Sequence, residues 1–111
     1  MYEIIQGSRM VDGIGVETYT REIPSASYLE VEAGTTGYRG GDTGHGCRTY
    51  FRIKDLGGTD ISINVIRDCD GDAEGFEVML GGDCELDSII RALKFITKVL
   101  VEQSEPIDYI D

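Results

Sequence analysis

Apolar residues recur along this chain with two different periods. Over the first three quarters the period is two, and strand-compatible segments run from Tyr2 to Gln6, Gly15 to Ile23, Ser27 to Ala33, Cys47 to Asp55, Thr59 to Arg67 and Gly75 to Leu80. Turn chemistry separates them at Gly7-Ser8, Asp12-Gly13, Pro24-Ser25, Gly57-Gly58 and Asp70-Gly71. From about Cys84 to Gln103 the period changes, and Leu86, Ile89, Ile90, Leu93, Ile96 and Leu100 recur at helical spacing. Asp83, Glu85 and Asp87 stand at the start of this segment, where carboxylates cap free amides and complement the helix dipole; Arg91, Lys94 and Lys98 follow. Strands first and one helix last predict an α+β fold. The short connections favour an antiparallel meander of about five to six strands, packed on one face by the single C-terminal helix.

Alternation assigns the faces. Cys47, Thr49, Phe51 and Ile53 share one side of their strand, and Arg48, Tyr50, Arg52 and Lys54 share the other. Leu29 and Val31 are expected inward, with Tyr28, Glu30 and Glu32 outward. Ile61, Ile63 and Val65 alternate with Ser62 and Asn64, and Phe76, Val78 and Leu80 are expected to complete the core beneath Leu86, Ile89, Ile90, Leu93 and Ile96. Phe95, Val99 and Val101 make the helix stripe wider than one sheet contact uses. The helix is therefore expected to be buried on two sides or to join a subunit interface, the open sheet face being the other candidate for contact between copies.

A chain of 111 residues makes one domain, read here as 1–103, with 104–111 (SEPIDYID) as an acidic tail. No run of about 18 apolar residues is present, and the N-terminus lacks the basic start and apolar centre of a signal peptide, so a soluble cytoplasmic protein is expected. Cys47, Cys69 and Cys84 are odd in number and show no CxxC spacing, which points to reduced thiols. Asp+Glu 21 against Lys+Arg 10 gives a formal net charge of −11. That field repels phosphate backbones and anionic membranes, so neither nucleic acid nor membrane is an expected direct partner. It steers the chain toward basic protein surfaces, including those of nucleic-acid-binding proteins, although excess acid by itself also serves solubility.

Candidate chemistry gathers in two places. The glycine-rich stretch Gly34 to Gly46 (GTTGYRGGDTGHG) surrounds Tyr38, Arg39, Asp42 and His45 and leads into the basic row Arg48, Tyr50, Arg52 and Lys54. Tyr38, Arg39, His45, Arg48 and Arg52 thus form a candidate site for an anionic small molecule such as a nucleotide signal, unless Glu30 and Glu32 neutralise the row across the strands. Asp42, His45 and Cys47 lack a fourth metal ligand and a placed base. Asp68, Asp70 and Asp72 imitate the first half of a calcium loop, but Ala73 stands at the glycine position and Met79 at that of the bidentate carboxylate. No metal, cofactor or catalytic residue is expected, and no GxGxxG in a strand-turn-helix context, Walker or Ser-His-Asp pattern is visible.

The blocks YRGGDTGHGCRTYFRI and LGGDCELDSIIRALKF resemble small uncharacterised proteins carried by phages and mobile elements of Gram-positive gut bacteria. The resemblance brings no active residues with it; it implies host-defence antagonists, such as anti-CRISPR proteins, as a class. The expected function is that of a non-enzymatic acidic binding protein, a phage-encoded inhibitor in this reading, acting on a basic protein surface through Glu30, Glu32, Asp42, Asp68, Asp70, Asp72 and Glu74. The alternative is a small-molecule sequesterer using the glycine-rich loop and the basic strand.

Overall fold

Asp12 and Gly13 both adopt positive φ, 50° and 83°, as a two-residue turn between twisted antiparallel strands requires. They join β1 (Ile5–Val11) to β2 (Ile14–Ile23), which pair from Val11↔Ile14 back to Ile5↔Thr20. The first strand therefore runs straight through Gly7-Ser8, where a turn was expected, because the hairpin register set at Asp12-Gly13 carries pairing back to Ile5. The computed structural model describes residues 4–24, 28–37 and 46–105. Within them follow β3 (Tyr28–Thr35), β4 (Thr49–Gly57), β5 (Ile61–Arg67), β6 (Ala73–Leu80) and the helix α1 (Asp83–Ser104).

The fold is α+β and every strand pairing is antiparallel, but the six strands form two sheets. One has the order β1-β2-β3-β4; the other is the hairpin β5-β6. Gly57 and Gly58, with φ of 140° and 73°, turn the chain off the edge of β4 through backbone angles that side-chain-bearing residues rarely adopt, and the hairpin leaves the first sheet there.

The four-stranded sheet is strongly curled. A flat sheet would hold β1 and β4 about 14 Å apart, three strand spacings. Instead the Arg9 guanidinium in β1 lies 5.4 Å from the centre of the Tyr50 ring in β4, and Asp12 in the first turn reaches Arg48 at 3.5 Å. The first half of β2 thus folds back over the face of β3-β4 away from the helix, and Val16 and Thr18 become fully buried there. Gly34 permits the crossing: a Cβ at this position would stand 2.2 Å from the Glu17 carbonyl oxygen and 2.9 Å from Thr18 Cγ2. Where β2 and β3 part after Tyr19↔Ala33, Gln103 of the helix substitutes for the next ladder bond. Its Oε1 accepts from the Thr35 amide at 2.8 Å while its Nε2 donates to the Glu17 carbonyl at 2.9 Å.

The helix packs on β3 and β2. Ala92, Phe95, Ile96 and Val99 meet Ile23, Leu29, Val31 and Ala33 in one buried cluster, bordered by Ile53, Ile61 and Ile89. Leu29, Val31 and Ile96 are therefore inward as the alternation and periodicity predict. Leu86, Ile90 and Leu93 are not: each is exposed by 42% or more. Arg91 donates to the Pro24 carbonyl at 3.3 Å, and Phe95, Val99 and Gln103 line a groove with Ile4 and Tyr19, so that flank of the helix lies over β2. At 100° per residue Leu86, Ile90 and Leu93 lie roughly 110–170° from the mean direction of Ala92, Phe95, Ile96 and Val99, on the side of the helix turned away from the sheet.

Candidate functional site

The face of the sheet away from the helix carries the basic row, and the curl gives it an internal partner. Glu32 is only 5% exposed. Its carboxylate receives Arg9 Nε and NH2 at 3.0 and 2.8 Å and the Thr18 hydroxyl at 2.7 Å, with Arg52 NH1 3.6 Å away. These bonds, Arg9's above all, hold the Glu32 carboxyl below its ordinary pKa against the opposing effect of burial. Arg52 also faces Glu30 at 3.8 Å, Lys54 stands opposite Glu30 in register, and Arg48 faces Asp12. The outward placement expected for Glu32 is therefore corrected: it is a buried anchor for Arg9 and Arg52, because the first hairpin folds over it. An anion arriving at Arg48 or Arg52 would have to displace a carboxylate already in place.

Arg9 was missed by sequence reasoning. It lies between the turns expected at Gly7-Ser8 and Asp12-Gly13, outside every expected strand, although the Asp12-Gly13 turn carries the signal, since a two-residue hairpin loop commits the preceding residues to a strand. Tyr38, Arg39, Asp42 and His45 of the glycine-rich loop lie outside the described residues. Cys47, Cys69 and Cys84 form no disulfide with one another and are exposed. Among the described residues no group of three or more His, Cys, Asp or Glu is placed to hold a metal ion.

The acidic hairpin is the second candidate. Asp68 organises its turn: Oδ1 accepts from the amides of Asp70 at 2.9 Å and Asp72 at 3.0 Å, and the Asp68 amide donates to the Asp72 carbonyl at 2.9 Å. Asp68 is thus occupied with its own backbone, whereas Asp70, Asp72, Glu74 and Glu77 are exposed. Arg67, the one basic residue of β5 and β6, donates to the Gly71 carbonyl at 3.1 Å. At its base the hairpin is tied on by Asp60, whose amide donates to Glu85 Oε2 at 3.1 Å and whose carbonyl accepts from Gly81. Glu85, expected to cap the helix, is turned to this connection instead. Gly82 at the N-cap position, with φ 106°, makes no side-chain cap bond.

Ile63, Val65 and Phe76, expected in the core, are more than half exposed. They share one face of the hairpin with Ile61 and Val78, as the register Ile63↔Val78 and Val65↔Phe76 requires. Phe76 touches Phe51 of β4, ring centres 6.3 Å apart, so that hairpin and sheet edge enclose an open apolar groove of about 420 Å³. The core stays open there because Gly57-Gly58 carries the hairpin away from the sheet before its apolar face can close on the helix.

Among the described residues no helix is long and apolar enough to cross a membrane. No protein-family model, curated protein or solved structure matches this chain.

Proposed function

We propose that this chain is a non-enzymatic binding protein that presents the acidic hairpin to a basic surface on another protein, one whose own ligand is nucleic acid. The observation that carries the reading is the hairpin itself. It stands off the core with Asp70, Asp72, Glu74 and Glu77 exposed, and its acids serve no packing role. With a net charge of −11 behind them, these carboxylates would speed the approach to a positive surface. Inhibition of a host defence protein is the form of this function that the resemblance to phage-borne proteins suggests. The small-molecule reading is weaker, because Arg48 and Arg52 already face carboxylates.

Affinity capture tests the proposal, with the wild type and an Asp70→Lys/Asp72→Lys variant as baits and mass spectrometry to identify what each retains. The expected result is a basic protein held by the wild type and lost by the variant. Equal capture by both baits would overturn the role given to the hairpin, and retention of a nucleotide that Arg48→Ala/Arg52→Ala releases would establish the sequesterer instead.

A further inference from the structure

Four consecutive residues of β4, Tyr50, Phe51, Arg52 and Ile53, line the groove between hairpin and sheet. Successive side chains of a strand point to opposite faces, so an opening that touches all four lies alongside the strand rather than on either face of it. β3 occupies one side of β4, and no strand is paired on the other. The groove therefore follows the open edge of the sheet, with Ile63 and Phe76 of the hairpin across it.

The register fixes which backbone groups that edge presents. The Thr36 amide donates to the Arg48 carbonyl at 3.0 Å, so Arg48 and every second residue after it, Tyr50, Arg52 and Lys54, turn their amides and carbonyls toward β3. Thr49, Phe51 and Ile53 turn theirs toward the groove, and among the described residues these backbone groups meet no hydrogen-bond partner. A row of unpaired strand groups beside an apolar wall is what an added strand uses: its backbone completes the ladder and its alternate side chains find seats.

We infer that the edge of β4 takes an extended segment of the basic partner as a fifth strand of the sheet, with alternate apolar side chains against Ile63 and Phe76 and basic residues at the hairpin turn. Phe51 touches Phe76 toward the turn, while Ile53 and Ile61 both border the core at the hairpin's base. An antiparallel segment on β4 thus brings its C-terminal end beside the exposed Asp70 and Asp72. Charge selects this occupant. Arg52, the cation in the groove lining, already faces Glu30 and Glu32 at 3.8 and 3.6 Å, and the exposed acids gather at the turn. A second copy is disfavoured, because pairing β4 with itself would bring two rows of Arg48, Arg52 and Lys54 together between chains of −11. The basic end of the segment rests on the reading that the hairpin turn meets a positive surface; the strand pairing stands without it.

Amide hydrogen exchange followed by NMR on the full chain tests the inference, with the synthetic peptide acetyl-TVTVTVKK-amide as probe at about 2 mM. Exchange at the Phe51 and Ile53 amides should slow about fivefold, while Tyr50 and Arg52, already bonded to β3, stay unchanged. The same peptide with N-methylated valines keeps its side chains but loses the donors for the Phe51 and Ile53 carbonyls, and it should protect neither. Phe76→Ser, at an exposed position, should remove most of the protection by the unmodified peptide without changing the fold. No slowing, or equal slowing by the N-methylated peptide, would overturn the added strand. Phe51 and Ile53 amides that become protected with rising protein concentration alone would put a second copy on the edge, which also overturns it. Equal protection of the wild type and of Asp70→Lys/Asp72→Lys would keep the strand and overturn only the part given to the acidic turn.

Discussion

Gly34→Ala should be the most damaging single-methyl change in the molecule. The added Cβ would stand 2.2 Å from the Glu17 carbonyl oxygen, 2.9 Å from Thr18 Cγ2 and 3.0 Å from Thr18 Cα. Ordinary contact needs about 3.4 Å, so the two strands would have to separate by about 1 Å. The obstruction is mainly backbone, and it sits where Gln103 already spans Glu17 and Thr35. No side chain can rotate out of the way. Overpacking of a tight site costs about 1–3 kcal/mol, and a backbone obstruction places this case at the upper end, about 3 kcal/mol. At roughly 4 °C per kcal/mol for a domain of this size, Tm should fall by about 12 °C. Gly7→Ala is the control, because its added Cβ finds nothing closer than Thr18 Oγ1 at 3.7 Å. Thermal and urea unfolding followed by circular dichroism would measure both. A Gly34→Ala protein that melts within about 2 °C of the wild type would refute the crossing of β2 over β3, and with it the account of how Glu32 becomes buried.

Glu32→Gln removes the charge that Arg9 and Arg52 face and should cost about 2 kcal/mol at pH 7, measured by urea unfolding. Because the folded pKa of Glu32 lies below its ordinary value near 4.5, this contribution is present above that value and is lost as pH falls through the lowered one; the gap between wild type and variant should narrow in acid, and a constant gap would contradict the ion pair. Gln103→Leu leaves the Glu17 carbonyl and the Thr35 amide without the side-chain amide that joins them, and should cost about 1 kcal/mol, with faster hydrogen exchange at the Thr35 amide as the specific sign.

Local features of this fold were legible in the sequence to the extent that they were settled by local chemistry. The helix, expected from Cys84 to Gln103, spans Asp83–Ser104, since its periodicity is long and its C-cap, Glu105, precedes Pro106. The inward placement of Leu29 and Val31 follows from alternation alone. What alternation cannot register is curl. Glu32 reads as an outward acid on an exposed face until a Gly34 crossing, itself indistinguishable from the other glycines of GTTGYRGGDTGHG, brings the first hairpin over it. Nor does periodicity say how many partners an apolar stripe has. Leu86, Ile90 and Leu93 carry the same apolar signal as Phe95 and Val99, but they lie on the side of the helix turned away from the sheet that buries those two.

The claim that the acidic hairpin is the working surface is tested most directly by association kinetics against the captured partner. Rates would be measured from about 50 to 300 mM salt for the wild type and for Asp70→Lys/Asp72→Lys. The wild-type rate should fall steeply with salt, and the variant should associate more slowly and with a shallower slope at unchanged thermal stability, because the steering charges sit at an exposed turn that the core does not use. Identical rates and slopes for the two proteins would contradict the account.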